Sequence, residues 1–206
     1  MNIRSKVAVG LAVLCLAGLT TTAQATVLSF DNLDPNYALI PDGYGGLNWI
    51  GFRTLDGPAN GAGFANGTVS PENVAYNEFD FALAFTAASN SVFDFNGAYF
   101  TAGWRSGLQI DVTGFNGGVA VPGYFQTLSI DPIAPTFFRL DFLGIDTLEL
   151  FAYGGLDAGL GGDGTEFAMD NLTYNAVPEP ATLLLLGVGL CGIIRFVRRG
   201  SSSRMN

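Results

Sequence analysis

Apolar and polar residues alternate along most of the chain between residues 78 and 174. An alternation of period two is typical of β-strands whose two faces meet different surroundings. In the run from Leu108 to Phe115, for example, Leu108, Ile110 and Val112 fall on one face. The pattern predicts strands at residues 78–85, 92–100, 108–115, 119–130, 137–142, 147–153 and 165–174.

Turn signals separate these predicted strands. They are Asn116-Gly117-Gly118, Asp131-Pro132 and Gly154-Gly155, and the glycine-rich residues 157–164 are predicted to form a loop. Short strands at this spacing, without alternating helical segments, favour antiparallel pairing. The sequence therefore predicts an all-β fold, an antiparallel jelly-roll-like β-sandwich.

The first 25 residues have the pattern of a secretory signal peptide. Arg4 and Lys6 precede an apolar run at residues 7–19, and Ala23-Gln24-Ala25 supplies small residues around a cleavage site before Thr26. An N-terminal membrane helix is the alternative, but 13 apolar residues are too few to span a bilayer. We therefore expect a signal helix at 1–25 and an exported domain at 26–176.

A second apolar run follows the exported domain. Residues 181–197 are apolar apart from Thr182 and Arg195, and as a helix they would reach roughly 25 Å, close to the thickness of the hydrocarbon layer. Arg198 and Arg199 come directly after this run and would stay on the cytoplasmic side. The run predicts a transmembrane helix within the tail, residues 177–206. An ordinary C-terminal anchor is one interpretation.

The order of features in this tail points to a more specific interpretation. The segment VPEPATLLLLGVGLCGIIRFVRR at residues 177–199 resembles the PEP-CTERM sorting domain of Gram-negative bacteria. By this resemblance the sorting motif is Val177, Pro178, Glu179 and Pro180, and the basic cluster at the membrane end is Arg195, Arg198 and Arg199. The resemblance implies that an exosortase, an integral-membrane enzyme, recognises the tail and cuts near Pro-Glu-Pro.

The same resemblance implies a destination. The protein would be anchored transiently in the inner membrane through its C-terminal helix. It would then reach the cell surface or the exopolysaccharide matrix of a biofilm.

Composition excludes several kinds of chemistry. The chain has no histidine, and its two cysteines, Cys15 and Cys191, lie outside residues 26–176. This excludes Ser-His-Asp and Cys-His catalysis, the usual zinc sites and a disulfide in the exported domain. Glu78-Phe79-Asp80 faintly resembles the Glu-x-Asp-x-Glu strand of retaining β-glucanases, but Ala82 and Leu83 stand where the second glutamate should fall. We therefore predict that the protein is not an enzyme.

The exported domain is strongly acidic. Residues 26–176 hold 17 Asp and Glu against Arg53, Arg105 and Arg139, a formal charge of −14. Such a surface repels the phosphates of nucleic acids, so we expect no nucleic-acid partner. The acidic surface would attract divalent cations, since carboxylate oxygens suit calcium. The alternative is that the net charge serves solubility alone.

Asp31 and Asp170 form a candidate site for structural calcium. The sequence places Asp31 on the first strand and Asp170 on the last, and terminal strands of jelly rolls are often neighbours. The closing run from Phe167 to Leu172 is similar to the closing strand of galactose-binding-like modules, which commonly hold a structural calcium there. The alternative is that both are Asx residues at strand ends.

Two aromatic segments are candidates for ligand contact. Tyr44 and Trp49 lie in a glycine-rich segment, within residues 28–54, that resembles the start of secreted jelly-roll surface proteins, and both rings could stack on a sugar. Packing of Trp49 in the core is the favoured alternative. Trp104 and Arg105 could form a cation–π pair or a ligand clamp, and a surface packing pair is the favoured alternative.

These observations predict an exported, non-enzymatic surface or matrix protein with a structural or adhesive role. A carbohydrate-binding module of the exopolysaccharide matrix is the alternative, with a polysaccharide as partner.

Overall fold

Two antiparallel sheets make up the part of the chain that the computed structural model describes, residues 25–78, 82–88 and 91–177. One sheet has seven strands: β1 (Ala25–Leu28), β2 (Asn36–Leu39), β4 (Phe52–Asp56), β5 (Asn73–Asn77), β7 (Val92–Ala102), β10 (Thr136–Ile145) and β12 (Phe167–Val177). The other has five: β3 (Leu47–Ile50), β6 (Leu83–Ala87), β8 (Arg105–Asn116), β9 (Val119–Ile130) and β11 (Thr147–Asp157). The predicted all-β sandwich is confirmed at this level.

The core lies between the two sheets. Leu108, Ile110 and Val112 point inward from β8, and Phe95 and Phe100 point inward from β7, all without exposed surface. Burying one such side chain contributes roughly 1.5–3 kcal/mol relative to leaving it in water. The period-two pattern therefore becomes one apolar layer shared by both sheets.

The last strand lies in the middle of the larger sheet, whose order is β10-β7-β12-β5-β4-β2. On the side opposite β7, the first part of β12 pairs with β5 and the later part pairs with β1. Ala25 pairs with Asn175 and Leu28 pairs with Leu172. The expected neighbourhood of the first and last strands is thus confirmed, and it brings the two ends of the domain side by side.

Most predicted strands are found, but one predicted turn is wrong. Of the strand predicted at 78–85, the part from Leu83 onward lies in β6, Glu78 belongs to no strand, and residues 79–81 lie outside the described residues. The turn predicted at Gly154-Gly155 is absent, because β11 continues to Asp157 with both glycines at φ near +70°. The predicted strand at 119–130 matches β9.

Short helical elements lie between β2 and β3 and between β4 and β5. They are the 3₁₀ turn Tyr44–Gly46 and the helices Gly57–Asn60 and Ala62–Asn66. The side chain of Asp56 caps the first helix by accepting a hydrogen bond from the N–H of Ala59 at 2.8 Å. A Cβ atom added at Gly63 would lie 1.7 Å from the carbonyl oxygen of Ala102, so the second helix packs directly on the backbone of β7.

The predicted terminal helices fall outside the described residues. Only Ala25 of the predicted signal helix is described, and it begins β1. In the described part of the chain, none of the helices has the length and apolar character needed to cross a membrane.

Candidate functional site

Trp49 lies in the core rather than on the surface. Its side chain is 6% exposed, and its ring packs against Phe30, Phe52 and Phe85 with centroids 5.7, 5.5 and 5.1 Å away. The indole N–H donates to the carbonyl oxygen of Tyr44 at 3.0 Å. The favoured packing alternative therefore describes Trp49, whose ring faces are covered by other aromatic rings.

Tyr44 lies half-buried beside this cluster. Its hydroxyl donates to Oδ1 of Asn32 at 2.9 Å, and its ring lies 5.9 Å from that of Phe30. Burial raises the pKa of Tyr44 above its usual value of 10.0, so the hydroxyl is a neutral hydrogen-bonding group at physiological pH.

Asp31 and Asp170 hold the same loop from two sides. Asp170 has no exposed surface, and its Oδ2 accepts hydrogen bonds from the backbone N–H groups of Val69 at 2.7 Å and Ser70 at 2.8 Å. Oδ1 of Asp31 accepts from the N–H of Asn73 at 3.1 Å. Asp170 lies on β12 as expected, whereas Asp31 lies in the turn after β1 and not on the strand. Together they anchor residues 69–73 to the ends of β1 and β12.

The electrostatics of Asp170 follow from its burial. Desolvation raises the pKa of Asp170 above its usual value of 3.8, and the donors from Val69 and Ser70 act in the opposite direction. Within residues 25–78, 82–88 and 91–177, no three or more Asp, Glu, His or Cys side chains form a group that could hold a metal ion. Structural calcium at Asp31 and Asp170 stays a prediction.

The side chain of Arg105 binds backbone carbonyl groups of a neighbouring loop. The guanidinium donates to the carbonyl oxygens of Gly154 at 2.7 Å, Gly155 at 2.9 Å and Asp163 at 2.6 Å. These contacts join the end of β11 to the loop that precedes β12. The described geometry gives Arg105 the role of a structural clamp.

Trp104 covers the second short helix. Its ring meets that of Phe64 edge-on with centroids 5.4 Å apart. A Cβ added at Gly162 would lie 2.5 Å from the Trp104 ring, so the loop also lies directly on this side chain. The packing alternative fits Trp104.

An open cleft of about 540 Å³ lies at one end of the five-stranded sheet. Its lining includes Asn48 on β3, Thr86 on β6, Asn116 at the end of β8, Asp146 just before β11 and Thr147 at the start of β11. Asp146 accepts from the N–H of Gly117 at 2.5 Å and from the hydroxyl of Thr147 at 2.9 Å. The sequence analysis did not foresee this polar cleft, because its residues come from five separate segments with no common motif.

The predicted sorting residues lie at the end of the described chain. β12 ends at Val177, where Val177 pairs with Val92. Pro178, Glu179, Pro180 and the arginines Arg195, Arg198 and Arg199 lie outside the described residues.

Residues 176–199 match a family described as the PEP-CTERM protein-sorting motif. This match confirms the resemblance seen in the sequence. The chain therefore carries a PEP-CTERM tail, which implies an exported cell-surface protein that is processed by an exosortase. No curated protein matches the chain.

Solved structures give only distant similarities. A family two carbohydrate esterase from Cellvibrio japonicus aligns at 13% identity and a TM-score of 0.38, over 77% of this chain and 36% of the esterase. The enzymatically active domain of tailspike protein 4 from bacteriophage CBA120 aligns at 12% identity and 0.35, over 70% and 22%. TmCBM61, in complex with β-1,4-galactotriose, aligns at 11% identity and 0.31, over 71% and 100%. The chain thus spans about a third of the esterase and about a fifth of the tailspike domain.

Proposed function

We propose that this chain, with its PEP-CTERM tail, is a surface or extracellular-matrix protein whose β-sandwich has a non-enzymatic structural or adhesive role after an exosortase releases it. The proposal rests on the point where the sandwich ends and the tail begins. The pairing of β12 with β7 ends at Val177, and Pro178 has no N–H with which to extend the ladder. Cleavage after Val177, near Pro-Glu-Pro, would therefore remove no residue of the sheet as described for residues 25–177.

The tail predicts a specific processing event. In a host that carries an exosortase, released protein should lack residues 181–206, and Glu179→Ala should leave an unprocessed, membrane-bound form. Glu149→Ala is the matched control, because it removes an exposed glutamate from β11 and leaves the motif intact. Mass spectrometry of the released and membrane fractions measures both. Released wild-type protein that still contains Arg198 and Arg199 would contradict the proposal.

A carbohydrate-binding role is the second candidate. It is favoured by exposed aromatic rings on the outer face of the five-stranded sheet. Phe151, Tyr153 and Phe125 are exposed there, whereas the aromatic rings of the loop around Trp49 are largely covered.

A further inference from the structure

The outer face of the five-stranded sheet carries an ordered set of side chains. β8 and β11 alternate strictly, so that Leu108, Ile110, Leu148 and Leu150 face the core while their neighbours face outward. We call the outward residues of three adjacent strands the aromatic face: Gln109, Asp111 and Thr113 on β8, Phe125, Thr127 and Ser129 on β9, and Glu149, Phe151 and Tyr153 on β11.

Two rings of this face are neighbours on one strand. Phe151 and Tyr153 lie two residues apart on β11, which places them on the same side of the strand. Their centroids are 5.9 Å apart and their planes differ by 23°, so the two rings are stacked with nearly parallel planes. They are 44% and 37% exposed. Each therefore leaves much of its apolar surface in water, where it adds little to the core.

A third ring lies along the same face. Glu149 of β11 is level with Thr113 of β8 and with Phe125 of β9, which is 60% exposed. Phe125 is two strands and one outward position away from Phe151, about 12 Å between Cα atoms for ordinary sheet spacing. Rings so distributed suit an extended ligand better than a single small molecule.

Hydrogen-bonding groups surround Phe151 and Tyr153. Asp111 pairs with Phe151 across the sheet, and its Oδ1 accepts from the hydroxyls of Thr127 at 2.6 Å and Tyr153 at 3.3 Å. Both bonds end on Oδ1, and among the described residues no donor to Oδ2 is found. Glu149 lies beside Phe151 with its carboxylate exposed. Gln109, level with Tyr153, donates to Oγ of Ser129 at 3.0 Å.

The charge of the face limits the class of ligand. Its nine residues include two carboxylates, Asp111 and Glu149, and no lysine or arginine. Such a face repels anionic polymers. Four of the nine are Gln, Thr or Ser, which exchange hydrogen bonds with neutral hydroxyl groups as donors and acceptors. Aromatic rings with apolar faces, together with acceptors and hydroxyls at their rims, match a sugar ring, which has apolar C–H faces and a rim of hydroxyl groups.

The polar cleft continues this face. Asn48 pairs with Thr86, Thr86 pairs with Thr147, and Thr147 pairs with Phe115, in the row next to the one that contains Glu149. Asn48, Thr86 and Thr147 line the cleft. A ligand lying along β11 would therefore pass from the rings toward a polar recess.

We propose that the aromatic face binds an uncharged polysaccharide, with sugar rings stacked on Phe151 and Tyr153 and their hydroxyls bonded to Asp111 and Glu149. This inference rests on the proposed function, since it supplies the partner of an adhesive matrix protein. It assigns the binding to the sheet and not to the loops around Trp49 or Trp104.

Affinity electrophoresis tests the proposal with the full-length protein in a mild non-ionic detergent that contains no sugar. Gels would contain β-glucan, xylan, galactan or mannan as uncharged probes, polygalacturonate as an anionic probe, or chitosan as a cationic one. Phe151→Ala and Tyr153→Ala should each weaken binding to the retained uncharged polysaccharide about tenfold or more, as central aromatic contacts do. Phe137→Ala is the matched control, because Phe137 is 43% exposed on β10 in the other sheet. It should bind like wild type.

Each outcome decides the matter. Retardation by an uncharged polysaccharide that both β11 variants lose and Phe137→Ala keeps supports the proposal. No retardation by any uncharged probe, retardation by chitosan alone, or wild-type binding by both β11 variants overturns it. Since all three rings are exposed, equal unfolding midpoints of the variants exclude loss of the fold. The assay does not depend on cleavage. Failed processing with intact binding therefore overturns the proposed function alone. Normal processing without binding to any uncharged polysaccharide overturns this inference alone.

Discussion

At the scale of single residues, Asp170 shows how a buried charge is accommodated in this fold. Transfer of a carboxylate from water into a protein interior is unfavourable unless hydrogen bonds replace its hydration. Asp170 receives them from the N–H groups of Val69 and Ser70 and from the Ser70 hydroxyl at 2.9 Å. The result is a firm link between the centre of the larger sheet and a loop about 100 residues away along the chain.

This link predicts a pH dependence with a definite sign. Because the pKa of Asp170 is raised in the folded state, the folded state binds this proton more tightly than the unfolded state does. Its contribution to stability is therefore fully present below the usual pKa of 3.8 and falls as the pH rises through the raised value. The free energy of unfolding of wild type minus that of Asp170→Asn should decrease with rising pH across this range.

Urea unfolding at several pH values measures the difference. Asp34→Asn is the control, because Asp34 is exposed in the loop between β1 and β2. A wild-type advantage that grows with pH would show that the N–H donors outweigh burial, which reverses the direction of the pKa shift.

At the scale of secondary structure, the helix Ala62–Asn66 rests on β7 with no room for a side chain at Gly63. The N–H of Gly63 donates to the carbonyl oxygen of Gly103 at 3.1 Å, so backbone meets backbone here. An added methyl group would collide with a main-chain oxygen of Ala102, which cannot rotate away.

Gly63→Ala should therefore destabilise the domain by about 3 kcal/mol or more, at or beyond the upper end of the usual overpacking cost. Gly43→Ala is the matched control, with φ at +84° and no atom within 4 Å of the added methyl, and should cost about 1–2 kcal/mol from backbone conformation alone. Chemical denaturation compares the two. Equal losses would mean that the helix moves off β7 at little cost.

Alternation along the strands decided which of them could be predicted from the sequence. Strands β7 to β12 have alternating faces and were predicted, whereas all five residues of β5 are buried and carry no alternation. In residues 147–153 one set of alternate positions is wholly apolar, whereas the other begins with Thr147 and Glu149 and ends with Phe151 and Tyr153. Aromatic residues are as typical of a core as of an exposed face, so the pattern did not show that these two rings face water.

The candidate site residues were chosen for chemistry that depends on exposure. Core packing was the favoured interpretation of Trp49, but the sequence could not name its partners, because Phe30 reaches it with φ at +63°, a conformation that no local pattern signals. The sorting tail was recognisable because its information lies in contiguous residues and needs no tertiary contact.

At the scale of the whole molecule, the pairing of β1 with β12 makes the domain nearly cyclic. Ala25 lies directly across from Asn175, about 5 Å away for antiparallel neighbours. A short linker from Val177 to Ala25 would thus close the chain without distorting either strand, and new ends could be opened elsewhere.

A circular permutant opened between Gly117 and Gly118, in the turn between β8 and β9, should keep the strand-rich far-UV spectrum and a wild-type unfolding midpoint within a few degrees. A permutant opened between Ile110 and Asp111 should not fold, because it divides a central core strand. If the first permutant also fails, the order in which strands are joined matters as much as their contacts. If it folds, the sandwich is a module that can be inserted into a loop of another protein at a single point of attachment. The domain could then be joined to other surface proteins without losing its fold. The sorting tail would be a separate targeting segment that the fold does not need.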